Sequence, residues 1–361
     1  MKTIRWGILG TGNAADAFVR GLSRVEGAAV AAVGSRAPAT AQAFAARHGI
    51  GTTHGSYEGL TADTDVDVIY IATPPNRHKD DCLLCIDAGK AVVCEKPFTM
   101  TASEARQVVE AARVKGVFCM EAMWMRFMPL VQKAQAMIKD GTIGPVRMLT
   151  ADFALPVRFD AGSRLIDPAR GGGALLDRGV YTVSLAMYLL GEPTDVLASA
   201  TMAPTGVDSE SAAVLRFAGD ATAILWSSFR TRGSNEAVIM GEKGRLRLGE
   251  PFYRPHRLTM ETVPTPAPAD AASNADGGGL KQKLKENAVV QRVFRRVQPL
   301  LRRPAMDLLQ PIDGNGYSYE AREATCCVRE GRTQSPLMPL DQTVQVMDVM
   351  DRIRAAWSKP Q

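Results

Sequence analysis

Residues 4–15 read Ile-Arg-Trp-Gly-Ile-Leu-Gly-Thr-Gly-Asn-Ala-Ala, a short apolar run closed by Gly10-x-Gly12-x-x-Ala15. No other segment restricts the fold as much. The run suits a buried strand, and the glycine spacing turns the chain sharply into a helix. The first glycine permits the tight turn. The second lets backbone N–H groups approach a pyrophosphate, and alanine at the third position still allows close packing. A helix starting near Ala14 would offer its free N–H groups, with Asn13 beside them, to that anion.

The context of the turn decides its weight. Ala14 to Arg24 has helical spacing, with Phe18 and Leu22 on one face. Apolar runs at Ala28–Val33, Val66–Ala72, Ala91–Cys94 and Val117–Met120 then alternate with helical stretches at Ala37–His48 and Asn76–Ala88. Thr101-Ala-Ser-Glu104 reads as a capping box opening a helix to Lys115, with Gly116 behind it. Strand and helix alternating in this way predict a doubly wound parallel sheet over residues 1–122, a dinucleotide-binding α/β Rossmann domain.

The residues after the second strand select the cofactor. A carboxylate there would bind the ribose 2′-hydroxyl of NAD. This chain has Gly34-Ser35-Arg36 instead. A hydroxyl and a guanidinium suit a 2′-phosphate, and the guanidinium can stack on adenine. The pattern favours NADP, with NAD as the alternative.

Ligands of open α/β sheets bind beyond the carboxyl ends of the strands. Two segments there carry chemistry: Ala72-Thr73-Pro74-Pro75-Asn-Arg-His78 and Glu95-Lys96-Pro97. Thr73, Pro74, His78, Glu95 and Lys96 are therefore candidate cofactor contacts. Pro97 restricts the backbone of Lys96. In the second half, Gly171-Gly-Gly-Ala-Leu-Leu-Asp177-Arg-Gly-Val-Tyr181 leads into a helix expected to run to Leu190. Asp177 and Tyr181 are four apart and share a helical face, with Arg178 pointing elsewhere. A carboxylate and a phenol at one site suit polyol chemistry, and an adjacent ammonium would favour the phenolate.

These motifs together resemble the Gfo/Idh/MocA oxidoreductases, over nearly the whole chain. The resemblance rests on the glycine turn, Ala72-Thr-Pro, Ala88-Gly-Lys90, Glu95-Lys-Pro97 and Gly171-Gly-Gly-x-x-x-Asp177. Within the family the chain is similar to the branch of dimeric dihydrodiol dehydrogenase and NADP-dependent D-xylose dehydrogenase. Glu121-Ala-Met-Trp-Met-Arg126-Phe-Met-Pro129, Arg164-Leu-x-Asp-Pro168, Leu175-Leu-Asp-x-Gly-Val-Tyr181 and Gly314-Asn-Gly-Tyr-x-Tyr-Glu320 carry that similarity. Many relatives have histidine where this chain has Tyr181. The resemblance implies that Lys96 contacts the nicotinamide ribose and the reacting oxygen, that Tyr181 is the general acid/base, and that Asp177 orients a substrate hydroxyl. It implies that Trp124, Arg126 and Phe153 line the substrate pocket. His78 matches a common family histidine.

After Gly144-Pro145 the pattern changes. Val146–Phe153 reads as a strand. Glu210–Phe217 with Thr222–Ser228, and Glu236–Met240 with Arg245–Leu248, read as hairpins. An α+β domain with a largely antiparallel open sheet is expected over 123–361. By family analogy its exposed face makes a homodimer. An atypical insertion spans 264–310: a Pro, Ala, Asp and Gly-rich linker, then a basic stretch at 280–303 with apolar residues at roughly helical spacing. That stretch accounts for the formal net charge of +5 and suits either an anionic surface or a packed surface helix.

No run approaches about 18 uncharged apolar residues, so no integral membrane segment is expected. The N-terminus reads directly as a strand without a cleavage pattern, which implies a cytoplasmic protein. Cys82 and Cys85 form Cys-x-x-Cys within a helical run, with no second pair of matching spacing. Buried reduced thiols are expected rather than a metal site.

The functional expectation is an NADP(H)-dependent oxidoreductase acting on a sugar or cyclic diol. Two other classes fit the fold: a glycoside-cleaving enzyme using transient oxidation, and a non-catalytic NADP-sensing protein. Lys96, Asp177 and Tyr181 together argue against the sensor.

Overall fold

The computed structural model describes residues 2–160, 162–262, 287, 288, 290–292 and 305–357. Its first six strands are β1 (Ile4–Leu9), β2 (Ala28–Gly34), β3 (Thr52–His54), β4 (Val68–Ile71), β5 (Ala91–Glu95) and β6 (Cys119–Ala122). They form one sheet in the order β3-β2-β1-β4-β5-β6, with every neighbouring pair parallel. Every residue of β4 and β5 is buried. Helices cover both faces of such a sheet, so its strands read as continuous apolar runs. The strand order reverses between β1 and β4, which opens a crevice at their carboxyl ends.

The helices Asn13–Leu22, Pro38–His48, Pro75–Asp87 and Ala102–Lys115 stand close to where periodicity places them. Thr101 Oγ1 accepts from Glu104 N at 3.3 Å. The Glu104 carboxylate reaches back one residue further than a capping box predicts, to Met100 N at 3.0 Å. Sequence reading passed over β3 and the short helix Tyr57–Ala62. Thr52-Thr-His54 lies at the sheet edge with two exposed residues and no apolar signal.

The second sheet holds β7 (Val146–Ala154), β8 (Asp195–Met202), β9 (Asp208–Arg216), β10 (Thr222–Ser228), β11 (Ala237–Gly241), β12 (Gly244–Leu248), β13 (Arg257–Thr262) and β14 (Met306–Leu309). Their order is β14-β13-β12-β11-β7-β10-β9-β8. Both expected hairpins form, β9 with β10 and β11 with β12. One pair departs from the antiparallel expectation: β7 and β10 run parallel. The linker 264–279 and nearly all of the basic stretch 280–303 lie outside the described residues. The last part of the expected insertion is not irregular. Met306–Leu309 pairs antiparallel with β13 and forms the sheet's edge.

The final helices return to the first layer. Tyr317–Arg329 lies along Asn13–Leu22, so closely that a Cβ on Gly21 would sit 2.6 Å from Tyr317 Cβ. Leu340–Trp357 packs on Ala102–Lys115 and on β8, and Arg106 pairs with its Asp348 at 2.8 Å. Among the described residues no helix is long and apolar enough to cross a membrane.

Candidate active site

At the carboxyl ends of β1, β2, β4 and β5 lies a cavity of about 750 Å3. Gly10, Gly12 and Asn13 line one wall. Gly10 has φ +100°, and a Cβ there would stand 2.9 Å from Ala72 O, so both conformation and space require glycine. Gly12 caps the helix Asn13–Leu22, and no side chain bonds the helix's first N–H groups. Those donors face the cavity, as an anion-binding helix terminus requires. Ala15 is fully buried and packs behind the turn instead of lining it.

Ser35 and Arg36 line the end of the cavity above β2. Ser35 Oγ is 2.7 Å from Thr40 Oγ1, and Arg36 is exposed beside the phenol of Tyr57. Thr73 and Pro74 form the floor after β4. Thr73 Oγ1 donates to the buried Asp81 at 2.7 Å. His78 touches the cavity but is 1% exposed, with Nδ1 and Nε2 each 2.8 Å from a carbonyl, of Pro97 and Thr73 respectively. It ties the Thr73 loop to the Lys96 loop, and burial pushes its basicity down.

The opposite end holds the reactive groups. Lys96 Nζ donates to Asp177 O at 2.8 Å and lies 3.4 Å from Asp177 Oδ1. Arg164 Nη2 donates to the same Oδ1 at 3.1 Å. Burial works to raise Asp177, yet Lys96, Arg164 and Arg178 hold it below the usual carboxylate range. The expected α-helix is a π turn over Leu175–Gly179, and only from Val180 onward is it α-helical. Such a turn shifts the carbonyl ladder, and here Asp177 O takes the lysine. The glycines before it are forced by crowding: a Cβ on Gly173 would lie 2.3 Å from Asp208 Oδ1. Arg178 points away, as expected, and donates to Leu155 O and Ser228 O.

Tyr181 lines the cavity, and its hydroxyl accepts from Trp124 Nε1 at 2.8 Å. Lys96 Nζ stands over its ring, 4.9 Å from the centroid. The ammonium does stand beside the phenol, as expected, but its pull toward the phenolate is outweighed. Burial first, then Tyr317 and Glu95, push Tyr181 well above the usual phenol range. Burial thus holds the phenol neutral.

Trp124 and Phe153 do not line the cavity itself, against expectation; they stand in an aromatic cluster around Tyr181 beside this end. Trp124 stacks on Tyr317 at 4.8 Å, and Phe153 stacks on Tyr253 at 4.5 Å and meets Tyr181 edge-on at 5.5 Å. Arg126 does not reach the cavity. It is 0% exposed, with Nε 3.0 Å from Ser184 Oγ and Nη1 2.5 Å from Gln342 Oε1. This arginine, four residues past the end of β6, turns inward to where Ser184 and Gln342 accept its hydrogen bonds and the Glu121 carboxyl offsets its charge. Sequence reasoning gave no site role to Arg164, Tyr57, Tyr253 or Tyr317. Arg164 and Tyr317 do sit in segments that carried the branch resemblance, which was the available signal.

Cys82 and Cys85 are buried free thiols, both pushed well above the usual range by burial. Thiols in that state are poor nucleophiles.

Comparison with known proteins adds the following. Residues 4–123 match the oxidoreductase family with NAD-binding Rossmann fold, and residues 131–247 match the GFO/IDH/MocA C-terminal domain. The trans-1,2-dihydrobenzene-1,2-diol dehydrogenase of Bos taurus is 33% identical over 358 residues, covering 98% of this chain and 96% of the relative. The Homo sapiens enzyme of that name is 31% identical over 362 residues, with the same coverages. Among solved structures, a 3-ketoreductase from Actinomadura kijaniata in complex with NADP and TDP-benzene is 22% identical with a TM-score of 0.79, covering 98% of both chains. A levoglucosan dehydrogenase complexed with NADH and levoglucosan is 20% identical with a TM-score of 0.81, covering 99% of this chain and 98% of that one. At such identities the structures establish the fold.

Proposed function

The chain belongs to the GFO/IDH/MocA oxidoreductases, and from that premise we propose that it transfers hydride between NADP(H) and a hydroxyl of a cyclic diol or sugar. One observation carries the reading. Lys96, Asp177 and Tyr181, from distant parts of the chain, meet at one end of a cavity whose other end offers a helix terminus, Ser35 and Arg36. The dihydrodiol dehydrogenases that the chain resembles supply the substrate class, and both NADP and NADH occur in complexes of its structural neighbours.

The residues present fit the cofactor. The uncapped N–H groups after Gly12 would hold the pyrophosphate. Ser35 and Arg36 would take a 2′-phosphate, with no carboxylate at the end of β2 to repel it. The nicotinamide supplies or accepts the hydride. The chain's own residues manage the proton and the alignment. Lys96, pinned by the Asp177 carbonyl, presents its ammonium to the reacting oxygen. Tyr181, neutral at rest, donates a proton to a substrate carbonyl in the reducing direction; in the other direction it accepts the hydroxyl proton only as the phenolate, once its own proton has passed to solvent. Asp177, ionised, accepts a hydrogen bond from the neighbouring substrate hydroxyl. The wall of Trp124, Phe153, Tyr181 and Tyr253 suits the face of a ring.

One face of the second sheet carries Leu197 and Ile224, both opposite Val214 of β9, at 55% and 40% exposure. Such a patch suits the dimer interface expected from the family.

The test is turnover of purified protein with NADP and with NAD, across trans-dihydrodiols, aldoses and anhydrosugars, followed by nicotinamide absorbance. Turnover of a diol or sugar with NADP is expected. Tight cofactor binding with no turnover of any of them would refute the catalytic reading.

A further inference from the structure

The π turn Leu175–Gly179 carries the carbonyl that takes Lys96, and the turn itself is held from outside. It opens at Leu175, a residue 3% exposed. The first N–H of a helical turn has no partner within the turn. Ala174, the flanking residue, offers it no side-chain bond. The acceptor comes from Asp208, the first residue of β9, whose Oδ2 takes Leu175 N at 2.7 Å across 33 positions of sequence. Asp208 is itself buried, at 7% exposure. Its other carboxylate oxygen crowds Gly173, where a Cβ would lie 2.3 Å away, so the carboxylate has room only because residue 173 is glycine.

Asp208 stands on a rigid base. The tight turn before it closes with Ala203 N donating to Val207 O at 2.7 Å. Ala203 and Val207 form a small buried apolar cluster with Ile166. Ile166 ends the short turn Arg164–Ile166, whose Arg164 holds the Asp177 carboxylate. Gly173 N donates to Leu165 O at 2.9 Å and joins the glycine stretch to the same turn. Beyond Asp208, β9 is paired on both sides, with β8 and β10. Burial lifts Asp208 to about 6, so near neutrality it is still mostly the carboxylate, the stronger acceptor.

We propose that Asp208 is a positioning residue for the reaction: its bond to Leu175 N sets the π turn, and the turn sets the Asp177 carbonyl that aims Lys96. Asp208 does not line the cavity and acts only through the backbone. The inference rests on the catalytic reading of Lys96 given above. Asp177 lies two residues past Leu175, so a shift at the start of the turn reaches its carbonyl directly. Without the carboxylate, Leu175 N–H is buried and unpaired, and the turn recovers a partner only by rewinding. Rewinding moves the Asp177 carbonyl, and the ammonium bonded to it moves as well.

The experiment measures kcat, KM and cofactor Kd for wild type, Asp208→Ala, Asp208→Ser and Asp208→Asn. The substrate is the diol or sugar that wild type turns over, and each variant is assayed well below its own melting temperature. Asp208→Ala should lower kcat by about a hundredfold, the effect of misplacing a catalytic group by about 1 Å. Cofactor Kd should stay near wild type, because the helix terminus at Gly12 and the Ser35–Arg36 end are untouched. Asp208→Asn, whose amide oxygen can accept the same bond, should restore most of the lost kcat. Asp208→Ser, too short to reach Leu175 N, should match Asp208→Ala and serves if that variant does not fold. An acid with a merely structural role would lower the melting temperature and leave the kcat of the folded protein alone. Wild-type kcat in folded Asp208→Ala or Asp208→Ser, a loss confined to KM, or an Asp208→Asn as slow as Asp208→Ala overturns the proposal. A wild type that binds cofactor and turns over no diol or sugar overturns the functional reading itself, and this inference with it.

Discussion

Replacing Asp177 with asparagine separates the electrostatic role of this residue from its shape. The carboxylate Oδ1 stands 3.1 Å from Arg164 Nη2 and 3.4 Å from Lys96 Nζ, with side-chain exposures of 16%, 30% and 15%. An amide of the same size leaves two cations facing each other without a counter-charge. Removing one member of a buried pair costs 3–5 kcal/mol in general, and partial water access here reduces that to about 2 kcal/mol. Lys96 keeps its hydrogen bond to the Asp177 carbonyl, so cofactor affinity should change little while turnover falls. Thermal unfolding at neutral pH should shift down by several degrees. The acid limb gives a sharper check. Asp177 is depressed in the folded state, so its stabilisation is present above its unfolded value of about 3.9 and is lost as pH falls through the folded value. The wild-type advantage over Asp177→Asn should therefore shrink steadily as pH drops below about 4. An equal melting temperature at neutral pH, or a stability gap that stays constant into acid, would refute the reasoning.

Four other outcomes follow from the geometry. Arg36→Ala should weaken NADPH by about tenfold or more, the worth of a charge-assisted bond, and weaken NADH, which loses only the adenine stacking, far less in direct binding titrations. Gly10→Ala should destabilise the fold, since its Cβ would lie 2.9 Å from Ala72 O, whereas Gly12→Ala meets no protein atom within 4 Å and should melt normally yet bind cofactor poorly. Tyr181→Phe should cut kcat by about a hundredfold or more with cofactor affinity preserved; retained turnover would remove the phenol from proton transfer. Leu197→Glu, at a position 55% exposed on the second sheet, should convert a dimer to monomer in sedimentation, and a wild type that is already monomeric would end the dimer proposal.

The first sheet was legible because its signals are local. A central parallel strand is apolar throughout, the first helix starts at a glycine turn, and two helices end at left-handed glycines, Gly49 and Gly116. In the second sheet β7 was legible as a strand, but pairing was legible only where a tight turn joins neighbours, at β9–β10 and β11–β12. Its parallel β7–β10 pair joins residues some seventy positions apart, and nothing in either strand records which neighbour it takes. β8 alternates half-buried with exposed residues across Ala, Ser and Thr, so periodicity had little apolar contrast to detect.

The site shows the same division more sharply. Lys96, Asp177 and Tyr181 could be named because each stands in a short motif, but their relation to one another was read through an ideal α-helix. The π turn at Leu175–Gly179 changes that relation: the carbonyl of Asp177, not only its carboxylate, fixes the lysine, and the ammonium comes to rest over the Tyr181 ring. Arg126 illustrates the opposite error. Its motif was right and its direction was not, because the direction is set by Ser184 and Gln342, 58 and 216 residues away. Tyr317 comes from a helix that reaches the site by packing against Asn13–Leu22, β1 and the turn Trp124–Phe127. A residue's type can be written in a motif of a few positions, but the charge it carries depends on neighbours that the fold delivers, which is why the neutral Tyr181 emerges only from the assembled structure.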